Sequence, residues 1–206
     1  MRPTKFEEFV MIKNLSSGKK ESGFTMPEIF VTLAIAATLA AIAIPSFSGW
    51  LPGYRLKSAA RDLYSNFQLT KLSAVRTGSR WAIVFDSGVT PGRYYICSDA
   101  GANGNWEGPA GDDTVEKTID LSDYQSGVDY GPGNATDDIP GNGAPPADNI
   151  DYAVGATNDV VEFNLRGICN AGQVYLQNMR NNTSFGVGTN TVGTVILYKW
   201  SGASWQ

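Results

Sequence analysis

Glu28 is the side chain whose position most needs a chemical reason. It lies in Gly23-Phe24-Thr25-Met26-Pro27-Glu28-Ile29-Phe30-Val31-Thr32-Leu33, and no other charge occurs between Phe24 and Ile44. From Ile29 to Ile44 the only polar side chains are Thr32 and Thr38. A carboxylate in an apolar, membrane-length segment is expensive: roughly +2.5 to +3.5 kcal/mol at a helix centre, less near one end. Two chemistries would offset that cost. The carboxylate could pair with an amine inside a dry helix bundle, where paired charges are favoured over isolated ones. Alternatively it could snorkel to lipid headgroups.

Other reactive constellations are sparse. The chain has no histidine. Ser-His-Asp and Cys-His nucleophiles and every His-based metal site are therefore excluded. Catalysis would need carboxylate pairs such as Asp112-Asp113 or Asp137-Asp138. Adjacent carboxylates in Gly-rich loops read as solvated turns, so no enzyme activity and no cofactor is expected. Ca²⁺ is the one ion those Asp and Asn oxygens would suit, although no EF-hand pattern is present. Cys97 and Cys169 are far apart, with no C-x-x-C. In an exported domain such a pair reads as one disulfide; the alternative is two separate buried thiols.

These groups need elements to position them. Residues 24–44 would form a helix of about 30 Å, enough to span a bilayer. Its six alanines after Leu33 leave little bulk, so neighbouring helices can approach closely. Lys19 and Lys20 precede the segment and Arg55, Lys57 and Arg61 follow it, so basic residues do not set its orientation. Pro45 is expected to kink or interrupt the helix, and Pro52-Gly53 is a second breaker. Beyond them Leu56, Ala59, Ala60, Leu63, Phe67, Thr70 and Ala74 recur at helical spacing, which predicts an apolar stripe lying on a sheet. Gly78 suits a C-cap.

The remainder reads as β-rich, with strands near 81–85, 93–97, 115–121, 160–165, 173–177 and 194–200. Polar loops at 101–113 and 127–148 are dense in Gly, Asn, Asp and Pro. Loops of that length are functional or disordered more often than not. The chain of 206 residues carries a net charge of −4. Loss of residues 1–23 would remove five basic and three acidic residues and leave −6. An acidic domain is a poor binder of nucleic acid, because phosphate contact needs Lys and Arg.

The Gly23-Phe24 step, Glu28, the apolar run and Pro45 resemble the processing site and first helix of a type IV pilin or pseudopilin. Three further stretches narrow the resemblance to the GspH/FimT family of minor pilins and pseudopilins. They are Pro45-Ser46-Phe47, Tyr54-Arg55-Leu56-Lys57-Ser58-Ala59-Ala60 and Ser73-Ala74-Val75-Arg76-Thr77-Gly78. Phe163-Asn164-Leu165-Arg166-Gly167 and Gly172-Gln173-Val174-Tyr175-Leu176 are similar to that family's paired late strands. Two positions depart from the pattern. Pro27 replaces an aliphatic residue, which a first helical turn tolerates. Gly193-Thr194-Val195-Ile196 stands where DNA-binding members carry a Gly-Arg-x-Arg-like strand.

The resemblance implies an α+β pilin fold: a long N-terminal helix, half transmembrane and half amphipathic, packed on an antiparallel β-sheet head. It divides the chain into a leader (1–23), a membrane and filament-core helix (24–44), an amphipathic helix (45–78) and a head (79–206). Met11 would begin a shorter leader than Met1. A prepilin peptidase would cut between Gly23 and Phe24 and N-methylate the new amine, and Glu28 of one subunit would pair with the Phe24 amine of a neighbour. The implied partners are that peptidase, other pilin or pseudopilin subunits and the bacterial inner membrane, with the head outside the cytoplasm; DNA is not expected among them. The implied role is a structural subunit of a type IV pilus or a type II secretion pseudopilus. The alternative is a binding module displayed on a filament for adhesion, DNA uptake or contact with a secreted substrate.

Overall fold

The computed structural model describes residues 23–206 apart from Ser126, Asn142, Ala156, Asn181 and Asn182. The leader and the choice between Met1 and Met11 therefore lie outside the described residues, except for Gly23 itself. The chain forms two units, one ending at Ala43 and the other running from Ile44 to Gln206. The architecture is α+β, a long N-terminal helix followed by antiparallel sheets.

The helix, α1, is Met26–Thr77. Neither Pro45 nor Pro52 interrupts it, contrary to the expectation of a break. Proline's fixed φ is compatible with a helix, and the penalty comes from one lost amide donor and a local clash. Just beyond Pro52, the buried stripe that starts at Leu56 holds α1 in place against that penalty. Within the second unit every stripe residue is buried: Leu56, Ala59, Ala60, Leu63, Phe67, Thr70 and Ala74. Thr70 hides its hydroxyl by donating to the Asn66 carbonyl at 2.7 Å. The helix ends where Gly78 adopts φ +65° and donates its N–H to the Ala74 carbonyl at 3.0 Å, the left-handed cap that glycine accepts without strain.

Eleven strands follow among the described residues: β1 Trp81–Asp86, β2 Arg93–Asp99, β3 Thr114–Asp120, β4 Val128–Tyr130, β5 Ile150–Asp151, β6 Ala153–Val154, β7 Thr157–Asn158, β8 Val160–Phe163, β9 Gly172–Asn178, β10 Ser184–Thr189 and β11 Val195–Lys199. One sheet has the order β3-β2-β1-β8 and a second the order β11-β10-β9-β4, with β5 also on β9. All their pairings are antiparallel.

Side-chain alternation gives the first sheet two buried faces. Ile83, Phe85, Tyr94, Ile96, Val161 and Phe163 join the α1 stripe in the main core, which the second sheet completes with Val174, Leu176, Phe185 and Val187. Phe67 is its hub, with its ring near those of Phe85, Tyr152 and Phe163. Ala82, Val84, Tyr95, Cys97 and Val160 face the other way, under Trp106 from the 101–113 loop.

Candidate functional site

The N-terminal site is built from a helix start and an uncovered apolar surface. Thr25 is the N-cap of α1: its carbonyl accepts the Ile29 N–H at 3.1 Å. Three residues on, Glu28 reaches back and accepts the Thr25 N–H through Oε2 at 3.4 Å. This is the acidic half of a capping box, Thr-x-x-Glu. The Thr-x-x-Glu spacing is itself present in the sequence. The carboxylate thus lies over the backbone just after Phe24, where the helix dipole also favours a negative group.

Gly23 and Phe24 are exposed, Phe24 at 79%. A Cβ built at Gly23 would meet nothing within 4 Å. Pro27 occupies the first turn without disturbing it.

Met26–Ile44 is long and apolar enough to cross a membrane, and none of it is buried. Phe30, Leu33, Leu39 and Ile42 are each more than half exposed. The two threonines leave no hydroxyl hydrogen unmatched. Thr32 Oγ1 donates to the Ile29 carbonyl at 2.9 Å, and Thr38 Oγ1 to the Ile35 carbonyl at 2.8 Å. A segment with its own polar groups satisfied is suited to an apolar surrounding. It can be covered by lipid or by neighbouring helices.

The expected Cys97–Cys169 disulfide is not formed. Both cysteines are free and buried. Cys97 lies with Trp106 and Val160, whereas Cys169 lies in the main core on the other side of the first sheet. A disulfide needs facing Cβ atoms, and these point into separate clusters. Burial, reinforced by the Asp113 charge, pushes the Cys97 thiol up to about 12. Burial also raises Cys169.

The acidic pairs organise their own loops. Asp112 accepts the Ala102 N–H at 2.7 Å, and Asp113 accepts those of Glu107 and Gly108. Asp138 accepts from Gly141 and Gly143. Among the described residues, no group of three or more His, Cys, Asp and Glu side chains is placed to hold a metal ion. Each long loop is tied down by a tryptophan. Trp106 donates to Glu162 at 2.6 Å, and Trp205 donates to the Asp137 carbonyl at 2.7 Å.

In the basic group on α1, Lys57 and Arg61 are exposed and Arg55 is half-buried. Thr194 follows Gly193, whose carbonyl accepts the Lys71 ammonium at 2.8 Å.

No family model and no curated protein matches the chain. Among solved structures it is similar to the minor pseudopilin EpsH from the type 2 secretion system of Vibrio cholerae. The two are 14% identical over 69% of this chain and 95% of that one, with a TM-score of 0.45.

Proposed function

We propose that the chain is a structural filament subunit, a minor pilin or pseudopilin, of a type IV pilus or type II secretion pseudopilus. One observation carries this reading. Glu28 is folded onto the backbone beside Phe24, at the head of the apolar segment Met26–Ile44, none of which is buried. A prepilin peptidase cuts the exposed Gly23–Phe24 bond and N-methylates the new amine. Residues 24–44 hold the subunit in the bacterial inner membrane, with the head outside the cytoplasm. On assembly the Ala-rich helix packs against its neighbours. Glu28 then exchanges its weak bond to Thr25 for the Phe24 amine of an adjacent subunit. Only one axial offset neutralises both charges, so the pair sets register.

The alternative, a binding module displayed on a filament, has less support, because both long loops are packed onto the sheets. The acidic balance and Thr194 argue against DNA as its ligand.

The test is Glu28→Val in cells carrying the peptidase and the other subunits. Membrane insertion should be intact or improved, since a charge leaves an apolar segment. Recovery in the sheared filament fraction should fall severalfold. Unchanged recovery would refute the register role.

A further inference from the structure

The end of the head nearest in sequence to the apolar segment gathers aromatic rings and lysines in one groove. Trp50 and Tyr54 stack at 5.1 Å between centroids, and both are more than half exposed. With Lys57, Phe185 and Lys199 they line an open groove of about 270 Å³. Phe185 and Lys199 are register partners across β10 and β11. The turn after β9 lies at the same end, because buried Asn178 donates to the Pro52 carbonyl at 3.1 Å. That turn adds exposed Met179 and Arg180.

We propose that this end of the head docks on the anionic phospholipid headgroups of the bilayer that holds Met26–Ile44. The proposal rests on the reading of that segment as a membrane span. Trp50 lies six residues after Ile44 on α1, and helical side chains lean back toward the N-terminus. Tryptophan and tyrosine concentrate at the membrane–water interface, where an amphipathic ring meets both phases. Lys57, Arg180 and Lys199 supply the charge complementarity, and among the described residues no acidic side chain lines the groove. The chain without residues 1–23 is net −6 with these three cations included, so this local basic surface contrasts with an acidic whole.

The test uses the full chain in proteoliposomes containing a nitroxide-headgroup lipid, in phosphatidylcholine alone and in a phosphatidylcholine–phosphatidylglycerol mixture. Flotation scores the span, and tryptophan quenching scores the docking. The chain has five tryptophans, so the difference between the parent and Trp50→Phe isolates Trp50. A Trp50-dependent quenched component is expected that grows with phosphatidylglycerol and shrinks with salt. Lys57→Gln and Lys199→Gln should each lower the docked-to-free ratio about fivefold, the usual effect of one basic residue near an anionic surface. Complete flotation without Trp50-dependent quenching would overturn the docking and leave the span reading standing. Quenching indifferent to phosphatidylglycerol and to both lysines would also overturn it. Trp50 shielding that follows the protein-to-lipid ratio would assign the surface to a second copy instead. Failure to float would overturn the span and the docking together.

Discussion

The hydroxyl of Tyr175, in the middle of β9, accepts the backbone N–H of Ile139 at 2.7 Å. Ile139 belongs to the polar 127–148 stretch, and this bond fastens it to the outer face of the second sheet. Its side chain fills the space left by Gly186, the cross-strand neighbour of Tyr175. Trp205 completes the cover, with its ring 5.5 Å from Tyr175.

Tyr175→Phe should therefore leave a buried N–H without an acceptor. The expected loss is about 1–3 kcal/mol of stability, read as a lower urea midpoint for the detergent-extracted chain. Unchanged stability would show that the loop is held by its ring contacts alone.

What the sequence reveals depends on whether a signal is periodic or long-range. The α1 stripe from Leu56 to Ala74 is legible because burial on one helix face repeats at a fixed spacing. β1, β2, β3, β8, β9 and β11 are legible as strands because each is a short run of β-branched and aromatic residues bounded by turn residues. β10 is not, because Gly186 and Gly188 read as turn residues. They are glycine because Ile139 and Tyr198 pass close above them, a contact with no local signature. β4 is only Val128–Tyr130, set within a stretch rich in breakers. At the N-terminal end the spacing of Gly23, Phe24 and Glu28 is plain in the sequence, whereas the bond from the Thr25 N–H to Glu28 depends on the backbone path into α1.

The two cysteines should behave as buried thiols. Under native conditions neither should react with a maleimide, because burial keeps both protonated and the thiolate is the nucleophile. Denaturation without reductant should expose two labelled thiols. A single product lacking both labels would restore the disulfide.

Asp159 should oppose folding at neutral pH. Burial raises its pKa above the usual 3.8, the Asp148 charge adds to this, and a bond from Ser87 at 3.2 Å partly offsets it. A raised folded pKa means that the ionised form is disfavoured in the fold, and the penalty is relieved as pH falls through that pKa. Asp159→Asn should thus be more stable than the parent at neutral pH, with the advantage narrowing on acidification. Asparagine also tolerates the φ of +60° at this position, a gain that does not vary with pH. Denaturant midpoints at a series of pH values provide the check, and an advantage that fails to narrow would contradict the ionisation argument.

Processing at Gly23–Phe24 is the central claim, and the mass of the mature N-terminus tests it most directly. The protein should be extracted from membranes of cells that express the prepilin peptidase and analysed intact and after digestion. The expected result is a chain beginning at Phe24 and carrying an N-methyl group, with a bulky replacement of Gly23 blocking the cut. A chain that keeps Met1 or Met11 at its terminus in those cells would contradict the claim.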